Sequence, residues 1–97
     1  MIDVIEHLVD VVKTLEEVHR ILVQGGQFDC EVPGAHHPVS FRDPTHLHFF
    51  TPESFDYFIP GTDMERDYGF YSEMRWRLVS KNFSPVEENI YFILEKL

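Results

Sequence analysis

The stretch "LVDVVKTLEEVHRILVQGGQFDCEV", residues 8–32, decides the fold because its pattern changes from a helical repeat to a strand repeat. Its first part places apolar side chains at helical spacing, at Leu8, Val11, Val12, Leu15, Val18 and Leu22. Asp10 is a favoured N-cap residue, Glu16 and Arg20 stand at the spacing of an ion pair, and Gly25-Gly26 provides a stop. This part therefore predicts an amphipathic helix.

The second part, "QFDCEV" at residues 27–32, alternates between apolar and polar side chains. One face would carry Phe28, Cys30 and Val32, and the other would carry Gln27, Asp29 and Glu31. Alternation with a period of two is typical of a strand with one polar face. A central parallel strand is normally apolar on both faces, so this polar face would need a cover in a larger protein.

The middle of the chain is less regular. Pro33-Gly34 opens a long loop over residues 33–50, whose prolines argue against a helix, and loops of this length usually carry function. The segment "TPESFDYF", residues 51–58, predicts a short helix with Thr51 as its cap and Pro52 as its first helical residue.

Two further strands are predicted near the end of the chain. Residues 64–82 contain strand-like aromatic and β-branched side chains, and the pattern is strongest at Trp76, Leu78 and Val79. Residues 89–97 are apolar enough to form a strand that lies between two neighbouring strands. A short turn at Ser84-Pro85 would make these two strands antiparallel. With the helix crossing between two parallel strands at the start, the pattern predicts an α/β fold with a mixed sheet and flanking helices.

Composition limits the class of protein. The 97 residues suit one small domain, residues 1–97, that buries roughly 60 to 70% of its unfolded surface. The net charge of −9 argues against nucleic acid as a partner, and the single cysteine, Cys30, suits a reducing compartment. The sequence has neither a signal peptide nor a membrane-spanning stretch, so we expect a cytoplasmic protein that does not bind a membrane.

Three motifs together resemble a known family. "DVIEHL" at residues 3–8 fits D-x-[IL]-E-H-[LV], "LEEVHRILVQGG" at residues 15–26 fits L-x-E-x-x-R-[IVL]-L-x-x-G-G, and "DPTHLHFFTPESF" at residues 43–55 contains His-x-x-x-Phe-Thr before a helix. The chain is similar to the C-terminal half of class I S-adenosylmethionine-dependent methyltransferases, of the type 11-like kind. The resemblance implies a partial Rossmann-like fold, S-adenosylmethionine as cofactor and methyl transfer to a small-molecule acceptor.

One departure from this family is large. Such enzymes place a glycine-rich turn after their first strand and an acidic residue after their second, and neither is found here, because Gly25-Gly26 follows a helix. The chain matches the family from its fourth strand onward, as a truncated product or one piece of a split enzyme would. We therefore expect weak or no cofactor binding by the isolated chain, and either a homo-oligomer or a complex with a missing N-terminal half.

The resemblance also assigns candidate site residues. Glu6 and His7 would border the methionine end of the cofactor and the substrate, and His7 and His46 are candidate catalytic bases, since an imidazole titrates near pH ~6.5. Candidate substrate contacts are Pro33, His37, His46, His48 and Phe50. In an extended loop His46 and His48 would face the same side. The alternative is that Glu6 caps the helix and His7 packs beneath the loop.

A metal site is the remaining possibility. Asp3, Glu6, His7 and His46 resemble the ligand set of a methyltransferase subgroup that orients a hydroxyl with a divalent ion, although that pattern has Glu in place of Asp3. We expect no metal and no change of melting temperature with magnesium or manganese. The alternative function is a non-catalytic binding module that uses its histidines. The aromatic residues are expected in the core, namely Phe49, Phe50, Phe55, Tyr57, Phe58 and Trp76.

Overall fold

The computed structural model describes residues 1–83 and 89–97. Within these residues, three α-helices and three strands follow in this order: α1 (Val11–Ile21), β1 (Gln27–Pro33), α2 (Pro38–Arg42), α3 (Asp63–Tyr68), β2 (Trp76–Asn82) and β3 (Asn89–Lys96). Short 3-10 helices lie at Ile5–His7, Asp56–Phe58 and Gly69–Tyr71. The chain is therefore a small α/β structure.

The three strands form one antiparallel sheet in the order β1-β3-β2. The predicted mixed sheet is not found in the described residues, because the start of the chain forms an isolated parallel bridge and not a strand. The prediction that the last strand lies between neighbours is confirmed, and so is its antiparallel pairing with β2, while the predicted turn at Ser84-Pro85 lies outside the described residues. On its other side β1 meets the start of the chain. Ile2 forms a parallel bridge with Glu31, whose N–H donates to the Met1 carbonyl at 2.9 Å and whose carbonyl accepts the Asp3 N–H at 3.0 Å.

One face of the sheet carries the core. The predicted alternation of β1 is confirmed: Phe28, Cys30 and Val32 are buried, whereas Gln27 and Asp29 are exposed. The rest of the core comes mainly from β3, from the helices before β1 and from the segment after the long loop. Its members are Ile5, Leu15, Phe50, Phe55, Phe58, Ile59, Met74, Trp76, Ile90, Phe92 and Leu94. Helix α1 packs on this face through Leu15 and its half-buried apolar neighbours.

Helix α1 confirms the predicted cap but not the predicted ion pair. Asp10 accepts the Lys13 N–H through its side chain at 2.9 Å. Arg20 pairs with Glu17, through two contacts of 2.8 Å, and not with Glu16. The Glu16 carboxylate is used elsewhere, because it accepts the hydroxyl of Ser72 at 2.6 Å.

The end of α1 lies a few residues before the two glycines. The helix ends at Ile21, and the turn that follows places Gly25 at φ 79, a left-handed conformation that favours glycine. A side chain on Gly26 would have its Cβ 2.9 Å from the Val23 carbonyl oxygen. The glycine pair therefore shapes the turn into β1.

The long loop contains a helix that the prolines did not exclude. Helix α2 begins at Pro38, where a missing N–H costs nothing because the first helical N–H groups have no partner inside a helix. Its N-cap is His37, whose Nδ1 accepts the Val39 N–H at 3.0 Å. The prediction of a helix-free loop was wrong because a proline in the first turn is compatible with a helix.

The prediction of a short helix that begins at Thr51 was also wrong. Thr51 does not cap a helix, since its N–H donates to the Ser54 hydroxyl at 2.8 Å in a turn, and only Asp56–Phe58 form a 3-10 helix. The strand-like pattern in residues 64–82 was too long. Its first part is α3, capped by the Thr62 side chain that accepts the Glu65 N–H at 3.1 Å.

Strand β2 covers the remainder of that segment, from Trp76 to Asn82. Its register with β3 shifts between Leu78 and Ser80, which leaves Val79 as an unpaired extra residue that is 38% exposed. A bulge of this kind bends the strand locally. The exposure of Val79 follows from alternation, because Trp76 and Leu78 on the same strand face the core.

Cys30 gives a direct test of how tightly β1 is covered. The thiol is 3% exposed, and burial raises its pKa from 9.0 to about 12. Because the thiolate is the reactive form, we expect alkylation in mildly alkaline buffer to be about a thousandfold slower in the folded protein than in urea. Mass spectrometry of the time course measures both rates. Similar rates would show that β1 opens readily.

Candidate functional site

The site begins at the turn that follows the start of the chain. Glu6 lies in the 3-10 helix Ile5–His7 and is 2% exposed. Its backbone carbonyl accepts the N–H groups of Leu47 at 2.8 Å and His48 at 3.2 Å. These two hydrogen bonds hold the far end of the long loop against the turn, so that residues some forty positions apart meet.

His46 enters the site with a defined orientation. Its side chain is 5% exposed, and its Nδ1 lies 3.1 Å from the Ser40 carbonyl oxygen. A carbonyl can only accept, so Nδ1 carries a proton and the neutral imidazole has its lone pair on Nε2. That Nε2 atom lies 4.0 Å from Glu6 Oε2 and 3.5 Å from Asp43 Oδ2.

His7 has the same orientation for a similar reason. Its Nδ1 lies 3.0 Å from the Thr45 hydroxyl and 3.3 Å from the Thr45 carbonyl oxygen. The Thr45 hydroxyl already donates to Asp43 Oδ1 at 2.7 Å, so it accepts from His7. The proton is again on Nδ1, and Nε2 lies 4.0 Å from Glu6 Oε2.

Asp43 organises the turn before His46. It accepts both the hydroxyl and the backbone N–H of Thr45, and these hydrogen bonds, the hydroxyl first, hold its pKa below the ordinary value. A lowered pKa means that this contribution to the turn is complete above the ordinary pKa of an aspartate and is lost as the pH falls through the folded value. At neutral pH the carboxylate therefore holds Thr45 in place beneath His7.

Glu6 has no such partners. Within the described residues, both of its carboxylate oxygens are buried without a hydrogen bond. Its nearest polar neighbours are the two imidazoles, whose rings meet edge to face with centroids 4.6 Å apart. One oxygen of Glu6, together with a nitrogen of His7 and of His46, forms a group whose atoms all lie within 4.8 Å of one another. We call these three residues the Glu6 cluster.

The Glu6 cluster lies in a pocket of about 340 Å³. The residues that line it are Asp3, Glu6, His7, Pro33, His37, Val39, Asp43, His46 and Asn89. Three of these side chains are carboxylic acids, three are imidazoles, and none is a lysine or an arginine. The pocket therefore has an acidic lining that disfavours an anion.

The structure brings several of the predicted site residues to this pocket. Glu6, His7 and His46 meet directly, while Pro33 and His37 line the wall. Asp3 also lines the pocket but stands outside the group of mutually close ligand atoms. The alternative in which Glu6 caps the following helix is wrong, because Asp10 caps α1 and the Glu6 side chain accepts no hydrogen bond.

Two predicted substrate contacts lie elsewhere. His48 does not face the side of His46, since its Nε2 lies 3.3 Å from the Val9 carbonyl oxygen and it is not among the pocket residues. The loop is not extended here, because both residues 47 and 48 donate to the Glu6 carbonyl. Phe50 is 5% exposed and belongs to the core.

The predicted aromatic core is correct with one exception. Phe50, Phe55, Phe58 and Trp76 are buried, and Tyr57 is partly buried. Phe49 is 44% exposed and stacks on the exposed Phe41 of α2, with ring centroids 4.4 Å apart. Alternation along the loop explains the difference, because the Phe50 ring points into the core and its neighbour points outward.

Sequence reasoning missed the residues that orient the imidazoles. Ser40, Asp43 and Thr45 supply the acceptors that fix both ring tautomers. A signal was present in "DPT" at residues 43–45, since an aspartate two residues before a threonine commonly accepts hydrogen bonds within a tight turn. The connection from this turn to His7 depends on the tertiary fold.

Comparison of the chain with protein-family models, with curated proteins and with solved structures gave no match. Among the helices of residues 1–83 and 89–97, none is both long enough and apolar enough to cross a membrane.

Proposed function

We propose that this chain is the acceptor side of a class I S-adenosylmethionine-dependent methyltransferase. The observation that carries the proposal is the pocket itself. Glu6-His7 from the first motif and His46 from the third motif, which are far apart in the sequence, line one cavity, and a polar atom of each lies within 4.8 Å of the other two. Separate family-like motifs that converge on one pocket are better explained by a shared site than by independent packing roles.

The order of elements supports the same proposal. The start of the chain lies parallel to β1 at Ile2, and α1 crosses between them. Strand β3 then pairs antiparallel with β1 on its other side, and β2 forms the far edge. A partial Rossmann-like methyltransferase fold would have a full parallel strand at the start of the chain, where this structure has a single parallel bridge, followed by the antiparallel arrangement of β1, β3 and β2.

The pocket residues suit the protein's part in methyl transfer. When bound, S-adenosylmethionine supplies an electrophilic methyl group on sulfur, and Glu6 and His7 are the residues that would border its methionine end. The neutral imidazole of His46 presents its Nε2 lone pair to the pocket and can accept the proton that the acceptor loses. The Glu6 carboxylate, 4.0 Å away, would stabilise the imidazolium that forms.

Titration with S-adenosylmethionine tests this proposal. We expect weak, saturable changes in the amide and imidazole resonances of the pocket residues, confined to residues 3–7 and 33–46, because the glycine-rich cofactor half has no counterpart in the sequence. Adenosine is the control ligand, since it lacks the methionine end and should leave these resonances unchanged. His48→Ala is the control variant because His48 lies outside the pocket. An equal response to adenosine, or a response to S-adenosylmethionine that lies outside the pocket, would contradict the proposal.

A divalent-cation-binding module is the second candidate. It is favoured by the three ligand atoms of the Glu6 cluster, which lie within 4.8 Å of one another. Two imidazoles and one carboxylate are ligands that manganese and zinc accept. The ligand types of the Glu6 cluster are therefore suitable for a metal ion. The distances between the three ligand atoms are a separate criterion for whether a metal ion or another cation binds there.

A further inference from the structure

We infer that the Glu6 cluster is a recognition site for a primary ammonium group. The inference deepens the proposed function. It rests on that function for one point only, which is whether the ammonium group belongs to the methyl acceptor or to the amino-acid end of the cofactor. The starting observation is that, within the described residues, acceptor atoms lie close together with no donor assigned between them: Glu6 Oε2 and the Nε2 atoms of His7 and His46, with Asp43 Oδ2 a further acceptor 3.5 Å from His46 Nε2.

The tautomers leave this arrangement electrostatically incomplete. Both Nδ1 protons are used on acceptors outside the cluster, those of Ser40 and Thr45. In the neutral form each Nε2 then carries a lone pair 4.0 Å from the Glu6 carboxylate, which is buried without a hydrogen bond in the described residues, and that of His46 also lies 3.5 Å from Asp43 Oδ2. A buried carboxylate without a partner is costly, and a ligand that brings positive charge and several N–H donors would satisfy all three atoms at once.

The spacing distinguishes an ammonium from a metal ion. Three acceptors around an ammonium nitrogen, at charge-assisted hydrogen-bond distances of about 2.8 Å, lie about 4.0 to 4.7 Å apart. Ligands around zinc, at about 2.1 Å, lie only about 3.0 to 3.4 Å apart. The carboxylate oxygen of Glu6 is 4.0 Å from each imidazole nitrogen, and all three atoms lie within 4.8 Å of one another. The spacing in this structure is therefore closer to that expected around an ammonium than to that expected around zinc.

The rest of the pocket favours the same ligand. Asp3 and Asp43 add carboxylates to the lining, and no lining residue is cationic, so the pocket attracts a cation. A primary ammonium offers three N–H donors for three acceptors, whereas a quaternary ammonium offers none. The volume of about 340 Å³ leaves room for the body of a small amine.

The test compares matched ligands on the whole chain by NMR. Propylammonium is the probe, tetramethylammonium has the same charge without N–H donors, and propanol is the neutral control. We expect propylammonium to shift the imidazole ¹⁵N resonances of His7 and His46 in a saturable way, and the two controls to leave them unchanged. Glu6→Gln should weaken this binding about tenfold or more, because it removes the charge that strengthens the hydrogen bond. His48→Ala should leave it unchanged.

The outcomes show whether the bound ammonium group belongs to the acceptor or to the cofactor. Propylammonium that stays bound when S-adenosylmethionine is added assigns the site to the acceptor, and displacement assigns it to the cofactor's own amino group; both support an ammonium site. An equal response to tetramethylammonium would overturn the inference in favour of general acidity. Saturation by zinc or manganese with no response to propylammonium would overturn it in favour of a metal site. Amine binding tests the ammonium site, and the cofactor titration tests the proposed function. Either experiment can therefore fail while the other succeeds.

Discussion

Phe92→Ala should lower the free energy of unfolding by about 3 to 5 kcal/mol, a large part of the roughly 5 to 15 kcal/mol that stabilises a domain of this size. Phe92 is 1% exposed at the middle of the central strand β3, and its ring meets that of Phe55 edge to face with centroids 4.5 Å apart. Truncation removes this contact and leaves a cavity between the sheet and the segment after the long loop.

Urea denaturation followed by tryptophan fluorescence measures the effect, since Trp76 lies in the same core. Phe70→Ala is the matched control, because it makes the same change at a position that is 77% exposed and should cost less than about 0.5 kcal/mol. If both variants lost the same small amount, the core described around β3 would not be the stabilising centre of the protein.

The strongest local patterns predicted the elements around this core. The helical repeat of residues 8–22 gave α1 with its Asp10 cap, and the alternation of residues 27–32 gave β1 with the correct buried face. These elements were predictable because each buries a continuous apolar stripe or face. The apolar run at residues 89–97 gave β3 between its neighbours for the same reason.

The short helices were not predictable in this way. Helices α2 and α3 are five and six residues long, too short to show an apolar repeat, and both start at a side-chain cap, His37 and Thr62 respectively. Histidine is an unusual cap, so little in the sequence predicts α2. Long loops conceal such elements because their conformation is set by contacts with the rest of the fold.

The candidate site, like the fold, was only partly predictable from the sequence. The adjacent Glu6-His7 and the return of His46 could be anticipated from the motifs, and the structure places them in one pocket. His48 was misassigned because the loop was treated as extended, whereas hydrogen bonds to the Glu6 carbonyl turn it. The orientation of each imidazole depends on Ser40 and Thr45, whose positions follow from the tertiary fold.

Glu6→Gln should make the protein more stable in the absence of ligand, by about 1 to 3 kcal/mol, because it removes a buried charge that has no hydrogen bond and introduces an amide that can donate to the imidazoles. Such a gain is expected where a side chain is kept for binding at a cost in stability. The measurement is urea denaturation of both proteins at neutral pH. Glu17→Gln, an exposed member of a surface ion pair, is the control and should change stability little.

The same denaturation experiment in the presence of propylammonium measures the role of Glu6 in binding. A ligand that binds only the folded protein raises stability by mass action, so saturating propylammonium should stabilise the original chain and have much less effect on Glu6→Gln. The difference between the two proteins should therefore narrow as the amine concentration rises. A Glu6→Gln variant that is less stable than the original chain would show that Glu6 already has a stabilising partner, such as a protonated His46 imidazole 4.0 Å away. In that case the cluster would be an internal ion pair, and the ammonium site would be excluded.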